Sequence, residues 1–489
     1  MSALSLWRVI GFACLLSAAA AIGSPAQTFT RLYSFCSQTG CTDGSQPLSG
    51  LVQATDGNFY GTNLNAGSYL DGTVFKITPD GMLTTLYSLC AKTGCADGNG
   101  PIGALTHGTD ANLYGTTCCG GTSRYGVVFK ITTGGALTTL YSFCSKTGCS
   151  DGSVPQGALL EGNNGNLYGT TSVGGANGSG TVFKVSPAGT LTTLYTFCSQ
   201  TGCPDGANPY TGLVQATDGN FYGTTCLGGA KNGGTVFKIT PGGTLTTLYS
   251  FCSQTGCTDG SYPYSGLIQA TDGSFYGTTE YNGASGHGTV FKITAAGKLT
   301  TLHSFNGTDG ANPDVRVMQG SDGNFYGTTR VGGANNAGTV FEITPGGTLT
   351  TLYSFCSQSG CTDGSLPQGA LLEGTDGNLY GTTTYGGAYT TGCTQWTKNG
   401  CGTVFRLSVG LGAFVETDPA SGTVGQHVLI LGNNLTGSTS VTFNGTPASF
   451  TVVSDSYIKA TVPSGATTGS VQVLAPSGTL TSKGRFQVR

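Results

Sequence analysis

Charged residues are unusually scarce in this sequence. Asp, Glu, Lys and Arg make up 9% of its 489 residues, whereas a typical globular protein carries about 25%. The net charge is −3 and the Lys and Arg residues are scattered, so the chain offers no basic face of the kind that binds nucleic acid. Strong helix formers are also rare, with three Met in the whole chain, and long helices are therefore not expected.

Long apolar runs are absent beyond the first 26 residues. Arg8 precedes the apolar run Val9–Gly23, and small residues then lead to Ala26. This arrangement is typical of a secretory signal peptide, which we predict over residues 1–26. No other stretch approaches the roughly 18 apolar residues that cross a bilayer, so no transmembrane segment is expected. The sequence predicts a protein that is secreted or lies on the outer cell surface.

Glycine, by contrast, is abundant and belongs to a long-period repeat. The 84 Gly residues follow no three-residue period, which excludes a collagen triple helix. Three motifs recur instead about every 54 residues: Gly-Thr-Val-Phe, Tyr-Gly-Thr and Leu-Tyr-Ser-Phe, with small variations. The first motif begins at Gly72, Gly126, Gly180, Gly234, Gly288, Gly338 and Gly402. Seven copies predict a tandem array in which each unit packs on its neighbours.

Each unit is predicted to form four short antiparallel strands, named A to D here. In the fourth unit, strand A (Leu213–Thr217) turns at an Asp-Gly pair into strand B (Asn220–Thr225). A glycine-rich loop then leads to strand C (Gly234–Thr240), and a second tight turn leads to strand D (Leu245–Phe251). Strands joined in this way are typical of one blade of a β-propeller.

The order of strands at the two ends of the array predicts a closed ring. The array opens with a lone D strand, Thr28–Phe35, and ends with strands A, B and C between Ala370 and Leu407. If the first strand completes the last blade, no unpaired sheet edge remains. The predicted fold is all-β: a seven-bladed propeller over residues 28–409, followed by an immunoglobulin-like β-sandwich over residues 410–489.

The 18 Cys of this exported chain predict disulfides rather than metal sites. Six D-to-A loops carry a pair of Cys five residues apart, and the seventh loop lacks both. The predicted pairs are Cys36/Cys41, Cys90/Cys95, Cys144/Cys149, Cys198/Cys203, Cys252/Cys257 and Cys356/Cys361, with Cys393/Cys401 in a longer B-to-C loop. Cys118 and Cys119 could bridge each other or pair elsewhere, and Cys226 could stay free or pair between molecules.

The long and variable loops are predicted to share one face, because D-to-A and B-to-C connections leave each blade on the same side. Loops on a rigid scaffold commonly carry binding sites. The candidate ligand-binding residues, all in B-to-C loops, are Arg124, Tyr125, Glu280, Tyr281, Arg330, Tyr385 and Trp396. Trp396 is either a contact anchor or a side chain that packs over its own loop.

No residue can be assigned a catalytic role from the sequence. Seven Asp precede Gly in the D-to-A loops; they either cap their own backbone or form a ring that binds a cation or sugars. A glycosidase needs two carboxylates at a set separation. The candidates outside the repeated positions are Glu161, Glu280, Asp314 and Glu373. The four His show no metal-ligand spacing, and neither a metal nor a cofactor is expected.

Two parts of the chain resemble known families. Gly234–Phe251 (Gly-Thr-Val-Phe-Lys-Ile-Thr-Pro-Gly-Gly-Thr-Leu-Thr-Thr-Leu-Tyr-Ser-Phe) and Thr217–Thr225 are similar to the GloVer (Gloeo/Verruco) tandem repeat of exported bacterial proteins. The segments Asp418–Gly425 and Val441–Gly445 (Val-Thr-Phe-Asn-Gly) resemble an IPT/TIG immunoglobulin-like domain. The first resemblance implies a surface or secreted location without an established activity, and the second implies a spacer or interaction module.

These observations predict a secreted or cell-surface protein that uses a disulfide-pinned propeller face to bind a glycan or a surface protein. Two alternatives remain open. One is a carbohydrate-active enzyme on the same face, either a glycoside hydrolase or a lyase. The other is a purely structural envelope protein.

Overall fold

The computed structural model describes residues 27–389, 393 and 400–489. Seven four-stranded antiparallel sheets follow one another along the chain, and two further four-stranded sheets and a two-stranded sheet form the C-terminal domain. The predicted all-β propeller and sandwich are therefore confirmed. The signal peptide predicted over residues 1–26 lies outside the described residues. Within the described part of the chain, no helix is long and apolar enough to cross a membrane.

The seven blades share one set of strands. The A strands are Val52–Gln53, Thr106–His107, Leu160–Glu161, Val214–Gln215, Ile268–Gln269, Met318–Gln319 and Leu372–Glu373. The B strands are Phe59–Asn63, Leu113–Thr117, Leu167–Thr171, Phe221–Thr225, Phe275–Thr279, Phe325–Thr329 and Leu379–Thr383. The C strands are Thr73–Ile77, Val127–Ile131, Thr181–Val185, Thr235–Ile239, Thr289–Ile293, Thr339–Ile343 and Thr403–Ser408. The D strands are Leu83–Ser88, Leu137–Ser142, Leu191–Thr196, Leu245–Ser250, Leu299–Ser304, Leu349–Ser354 and Thr28–Ser34.

The ring is closed by the first strand. Thr28–Ser34 pairs antiparallel with strand C of blade 7, from Thr28 opposite Ser408 to Ser34 opposite Thr403. The ring of Phe29 stacks on Tyr353 of blade 6, with centroids 4.1 Å apart, and lies 5.5 Å from the ring of Phe405 in blade 7. The predicted closure by the N-terminal strand is therefore confirmed.

Strand A is the innermost strand of each blade and is shorter than predicted. A Cβ at Gly50, just before strand A of blade 1, would lie 2.6 Å from the carbonyl oxygen of Ala370 in blade 7. This close approach of neighbouring backbones places the A strands around the axis. In blade 4 strand A covers Val214–Gln215 rather than five residues, because the Ala216 amide already bonds the Asn220 carbonyl in the turn, at 2.9 Å.

The repeated aromatic residues hold neighbouring blades together. Tyr222 of blade 4 stacks on Phe275 of blade 5 with centroids 4.0 Å apart, and Phe251 meets Phe291 edge to face at 5.2 Å. These rings are almost fully buried, and each contributes about 1.5–3 kcal/mol through burial alone. The Tyr222 hydroxyl donates to Asp218 of its own A-to-B turn at 2.9 Å. The repeated aromatic residues therefore belong to the core.

The Asp of each D-to-A loop has a structural role. The side chain of Asp259 is fully buried and accepts hydrogen bonds from the Tyr249 hydroxyl, the Ser253 amide and the Ser253 hydroxyl, at 2.8, 2.9 and 3.1 Å. At the end of blade 5, His303 replaces the Tyr and lies 2.8 Å from Asp309 in the loop that leads to blade 6. These carboxylates are directed into their own loops, which agrees with the capping interpretation rather than with a ligand-binding ring.

Disulfides pin the same loops. Bonds join Cys36–Cys41, Cys90–Cys95, Cys144–Cys149, Cys198–Cys203, Cys252–Cys257, Cys356–Cys361 and Cys393–Cys401. Five of the loops contain a 3₁₀ turn: Thr39–Cys41, Thr93–Cys95, Thr147–Cys149, Thr255–Cys257 and Ser359–Cys361. Cys118, Cys119 and the buried Cys226 are free thiols, and the two adjacent sulfurs lie 2.9 Å apart.

The C-terminal domain is a small sandwich with its own apolar core. One sheet contains Glu416–Asp418, His427–Leu431, Tyr457–Thr461 and Phe450–Ser454. The other contains Thr446–Pro447, Ser440–Phe443, Val471–Ala475 and Gly478–Thr481, and Ser421–Gly422 pairs in parallel with Gln487–Val488. Val428, Ile430, Ile458, Val471 and Val473 are fully buried between the sheets.

In six blades, the side chain of the last residue of strand A bonds the preceding blade; we call this contact a latch. The Gln269 side chain, for example, accepts a hydrogen bond from the Thr217 amide of the preceding blade at 2.9 Å. The same latch is made by Gln53, Glu161, Gln215, Gln319 and Glu373. Blade 2 has His107 at this position, and its Nδ1 contacts instead the Asp418 carboxylate of the C-terminal domain at 3.0 Å.

The sandwich docks on the face of the propeller formed by the A-to-B and C-to-D turns, which we call the turn face. Besides the His107–Asp418 contact, Lys483 pairs with Glu373 at 2.9 Å. The Ser456 hydroxyl donates to the Thr55 carbonyl at 2.7 Å. The C-terminal domain therefore leaves the opposite face uncovered.

Candidate functional site

The opposite face, which we call the loop face, is built from two loops of every blade. A short bridge pairs Ser261 in the D-to-A loop of blade 5 with Tyr281 in its B-to-C loop, and equivalent bridges occur in all seven blades. Each disulfide-pinned loop thus supports the variable loop beside it. This arrangement gives the variable loops a rigid base, which lowers the entropic cost of ordering them around a ligand.

One residue from each blade surrounds the mouth of the central channel on the loop face. This residue follows the repeated Pro of the D-to-A loop and comes just before strand A. The seven half-buried side chains, which we call the mouth ring, are Leu48, Ile102, Gln156, Tyr210, Tyr264, Asp314 and Gln368. The ring therefore has an apolar side in blades 1 and 2 and an aromatic and polar side in blades 3 to 7.

Two tyrosines form an aromatic pair in the mouth ring. The rings of Tyr210 and Tyr264 lie 5.2 Å apart at an angle of 43°. The Tyr264 hydroxyl lies beside the Cys226 thiol, and burial raises the pKa of that thiol to about 11. Cys226 is therefore protonated at neutral pH and packs beside the tyrosine. A tyrosine pair of this kind offers apolar faces together with polar edges.

Two carboxylates and an arginine adjoin the tyrosines. Arg330 of blade 6 donates from Nη1 to Glu280 of blade 5 at 3.2 Å, and the same nitrogen lies 4.0 Å from Asp314. Asp314 also accepts a hydrogen bond from the Gln368 amide at 3.3 Å, and Gln368 accepts one from Thr384 at 2.9 Å. This network fixes the polar side of the mouth ring across blades 5, 6 and 7.

Burial changes the acidity of both carboxyl groups. Burial raises the pKa of Asp314 from 3.8 to about 7, with the nearby Glu280 carboxylate adding to the effect. Burial also raises the pKa of Glu280, although Arg330 acts in the opposite direction. Perturbed carboxyl groups in a cleft are commonly found at functional sites.

The site contains two buried polar atoms without a hydrogen-bond partner among the described residues: Asp314 Oδ1 and Arg330 Nε. Buried polar atoms in proteins are nearly always hydrogen-bonded. The carboxylate oxygen needs a donor and the guanidinium nitrogen needs an acceptor. Hydroxyl groups can supply both.

The pKa of Asp314 gives a pH-dependent stability that can be measured. Because the folded state holds the proton more tightly than the unfolded state, ionisation of Asp314 opposes folding progressively as the pH rises from about 4 to 7. Asp314→Asn removes the ionisable group and with it this pH-dependent loss of stability. We expect the free energy of unfolding of Asp314→Asn, relative to wild type, to increase across that range by about 1.4 kcal/mol per unit of pKa difference. Denaturant unfolding at several pH values would measure it, and parallel curves for the two proteins would contradict the assignment.

The structure brings three of the sequence-predicted residues together. Glu280 is almost fully buried, Tyr281 is 41% exposed, and Arg330 pairs with Glu280 and approaches Asp314 of the mouth ring. The other candidates lie elsewhere: Arg124 and Tyr125 are on blade 2, three blades away from Glu280. Tyr385 is on blade 7, where it pairs with Ser365. Trp396 lies outside the described residues.

Several residues of the site were not predicted from the sequence as ligand contacts. Tyr210, Tyr264 and Gln368 lie in the D-to-A loops. Because these loops share a repeated motif, their individual residues did not stand out as candidates. One feature of the sequence could have indicated them. The residue directly after the repeated Pro differs between blades, whereas the residues around it recur. Two of the carboxylates considered for catalysis, Glu161 and Glu373, are latches between blades and lie toward the turn face.

Family models match most of the chain. The model described as Gloeobacter/Verrucomicrobia repeat matches residues 21–204 and again residues 201–394. The model of the IPT/TIG domain matches residues 415–488. None of the curated proteins matches the chain.

Solved structures resemble this chain at low sequence identity. One is the extracellular domain of a protein proposed to be a hybrid two component system from B. thetaiotaomicron, with a TM-score of 0.50 and 14% identity over 95% of this chain and 60% of that one. A proposed 6-phosphogluconolactonase from Bacteroides uniformis has a TM-score of 0.42 and 15% identity over 62% of this chain and 83% of its own. The periplasmic gluconolactonase of Pseudomonas aeruginosa has a TM-score of 0.37 and 16% identity over 60% and 81%.

Proposed function

This chain belongs to the Gloeobacter/Verrucomicrobia repeat family, and we propose that it is an extracellular binding protein whose loop face recognises a glycan at the mouth ring. The seven disulfides support the location, because such bonds persist in oxidising compartments. The docking of the IPT/TIG domain on the turn face supports the choice of face, since the loop face stays open to a ligand.

The observation that carries the proposal is the chemistry of the mouth ring. The aromatic pair Tyr210–Tyr264 stands in the same ring as Asp314, and Asp314 Oδ1 and Arg330 Nε are buried atoms without a hydrogen-bond partner among the described residues. A sugar ring presents apolar C–H faces to aromatic side chains and hydroxyl groups to the polar atoms around them. A protein surface could also contact this face, but a ligand rich in hydroxyl groups satisfies the donor and the acceptor together.

Binding to a glycan array is the test of this function. We expect the full chain to bind at least one glycan, and Tyr264→Ala to weaken that binding at least tenfold because the aromatic surface is lost. Tyr69→Ala is the matched control: Tyr69 is 51% exposed on the same face, in the B-to-C loop of blade 1. An equal effect of both substitutions, or no glycan bound by the wild-type protein, would contradict the proposal. Release of new reducing ends from a bound glycan would instead indicate the carbohydrate-active enzyme.

A further inference from the structure

One position just inside the channel differs in blade 6 from all other blades. The third residue after the repeated Pro is small in six blades: Gly50, Ala104, Ala158, Gly212, Gly266 and Ala370. Blade 6 has Arg316 there. Small residues are required where neighbouring inner strands touch; at Gly212, for example, a Cβ would lie 2.5 Å from the carbonyl oxygen of Ala158.

The joints between the inner strands of neighbouring blades are not equally tight. At Gly266, the equivalent residue of that blade, a Cβ would meet no described protein atom nearer than 3.7 Å, a carbonyl oxygen of blade 4. The joints with Gly50 and Gly212 have no such gap. The inner strands are thus more widely spaced between blades 4 and 5 than at these two joints. Arg316 lies one blade further along the ring, next to blade 5.

The charge of Arg316 has no counter-ion in the described part of the chain, where no carboxylate oxygen lies within 4.0 Å of its guanidinium nitrogens. The side chain is exposed to solvent, yet the surrounding protein lowers its pKa through burial. A position inside the solvent-filled channel meets both conditions. A cation that is crowded by protein and unpaired is a favourable partner for an anion.

Arg316 lies directly below the proposed glycan site. It follows the mouth-ring residue Asp314 by two positions, which is roughly 7 Å along an extended chain. Gly266, the equivalent residue of blade 5, follows Tyr264 by the same two positions. A ligand held between Tyr264 and Asp314 would therefore reach Arg316 with a group that projects into the channel.

We propose that the channel below the mouth ring holds the carboxylate of an acidic sugar, a uronic acid residue, on the Arg316 guanidinium. This inference rests on the proposed glycan-binding function and specifies its substrate class. The planar guanidinium matches a carboxylate through two parallel hydrogen bonds. The charged groups at the mouth of the channel are Asp314, Glu280 and Arg330. These carboxylates favour a ligand with one negative charge over a polysulfated one.

The test compares acidic sugars with their methyl esters. The full chain is titrated calorimetrically with trimers of galacturonate, glucuronate and mannuronate, with the methyl ester of each, and with neutral and sulfated trimers. We expect at least one acid to bind at least tenfold more tightly than its ester. Arg316→Ala should bind the acid and the ester equally and keep its affinity for the ester. Alanine occupies this position in three other blades, so the fold should tolerate it, and thermal unfolding of the variant checks this.

The possible outcomes separate this inference from the proposed function. Equal binding of acid and ester by the wild-type protein, or discrimination that survives in Arg316→Ala, would overturn the role of Arg316. If only neutral trimers bind, and Tyr264→Ala weakens that binding, the proposed function stands and the acidic-sugar inference fails. Preferential binding of the sulfated trimers would likewise overturn the choice of a carboxylate.

Discussion

Replacing Phe29 by Ala is expected to lower the free energy of unfolding by about 2–3 kcal/mol. This is less than the cost of replacing a fully buried Phe by Ala, which is about 3–5 kcal/mol. Phe29 is half-buried and belongs to the strand that closes the ring, where it contacts Tyr353 and Phe405 from two other blades. The other six D strands begin with Leu at this position. The closing strand therefore carries a larger apolar side chain at the one joint where the two ends of the array meet.

Two control variants make the Phe29 experiment specific to closure. Leu245→Ala removes the equivalent side chain from the continuous blade 4, and we expect a cost of similar size there. Phe29→Leu restores the residue of the other blades and should cost less than about 1.5 kcal/mol. If Phe29→Ala has no effect on urea unfolding while Leu245→Ala destabilises the protein, the N-terminal strand does not hold the ring closed.

Replacing Lys483 by Met is expected to release the C-terminal domain from the propeller. The Glu373 carboxylate is fully buried and pairs with Lys483 at 2.9 Å, and its other donors are the amide and hydroxyl of Ser321. Removing one partner of a buried ion pair leaves an uncompensated charge, at a cost of about 3–5 kcal/mol. The Ser321 donors reduce this cost, so we expect about 3 kcal/mol.

The readout for Lys483→Met is domain docking rather than folding alone. Small-angle X-ray scattering should show a larger radius of gyration, and the linker between the domains, residues 409–413, should become sensitive to protease. Lys298→Met, which alters an exposed lysine in a C-to-D turn of blade 5, provides the matched control. An unchanged radius of gyration in Lys483→Met would show that this ion pair does not hold the domains together.

The architecture was predictable because its causes are local and repeated. The lone D strand at the start and the missing D strand at the end of the array required closure, and the closing pair Thr28–Ser408 follows from it. The grouping of Glu280 with Arg330 was only half predictable: both stand in B-to-C loops, but their contact depends on how blades 5 and 6 pack. The repeat therefore predicts which loop a residue belongs to and on which face of the propeller that loop lies. It does not predict which residues of neighbouring blades touch.

The central part of the site was not predictable, for a physical reason. Tyr264 and Arg316 occupy positions whose side chains meet the channel only after seven blades have closed around it. Within one repeat these positions resemble ordinary loop residues. The docking of the sandwich on the propeller was not predicted from the sequence either. One residue indicated where it docks, because blade 2 has His107 where the other blades have Gln or Glu. Two exceptions, each at a different repeated position, marked these features: His107 the docking joint and Arg316 the channel cation.

Hydrogen–deuterium exchange of the full chain, with and without the tightest glycan from the array, tests the central claim most directly. The account predicts slower exchange at backbone amides of residues 208–212, 262–266, 280–283 and 314–318, which surround the mouth ring on blades 4 to 6. The amides of blades 1 and 2 and of residues 416–489 should be unchanged. Protection confined to the C-terminal domain or to the turn face would contradict a glycan site on the loop face.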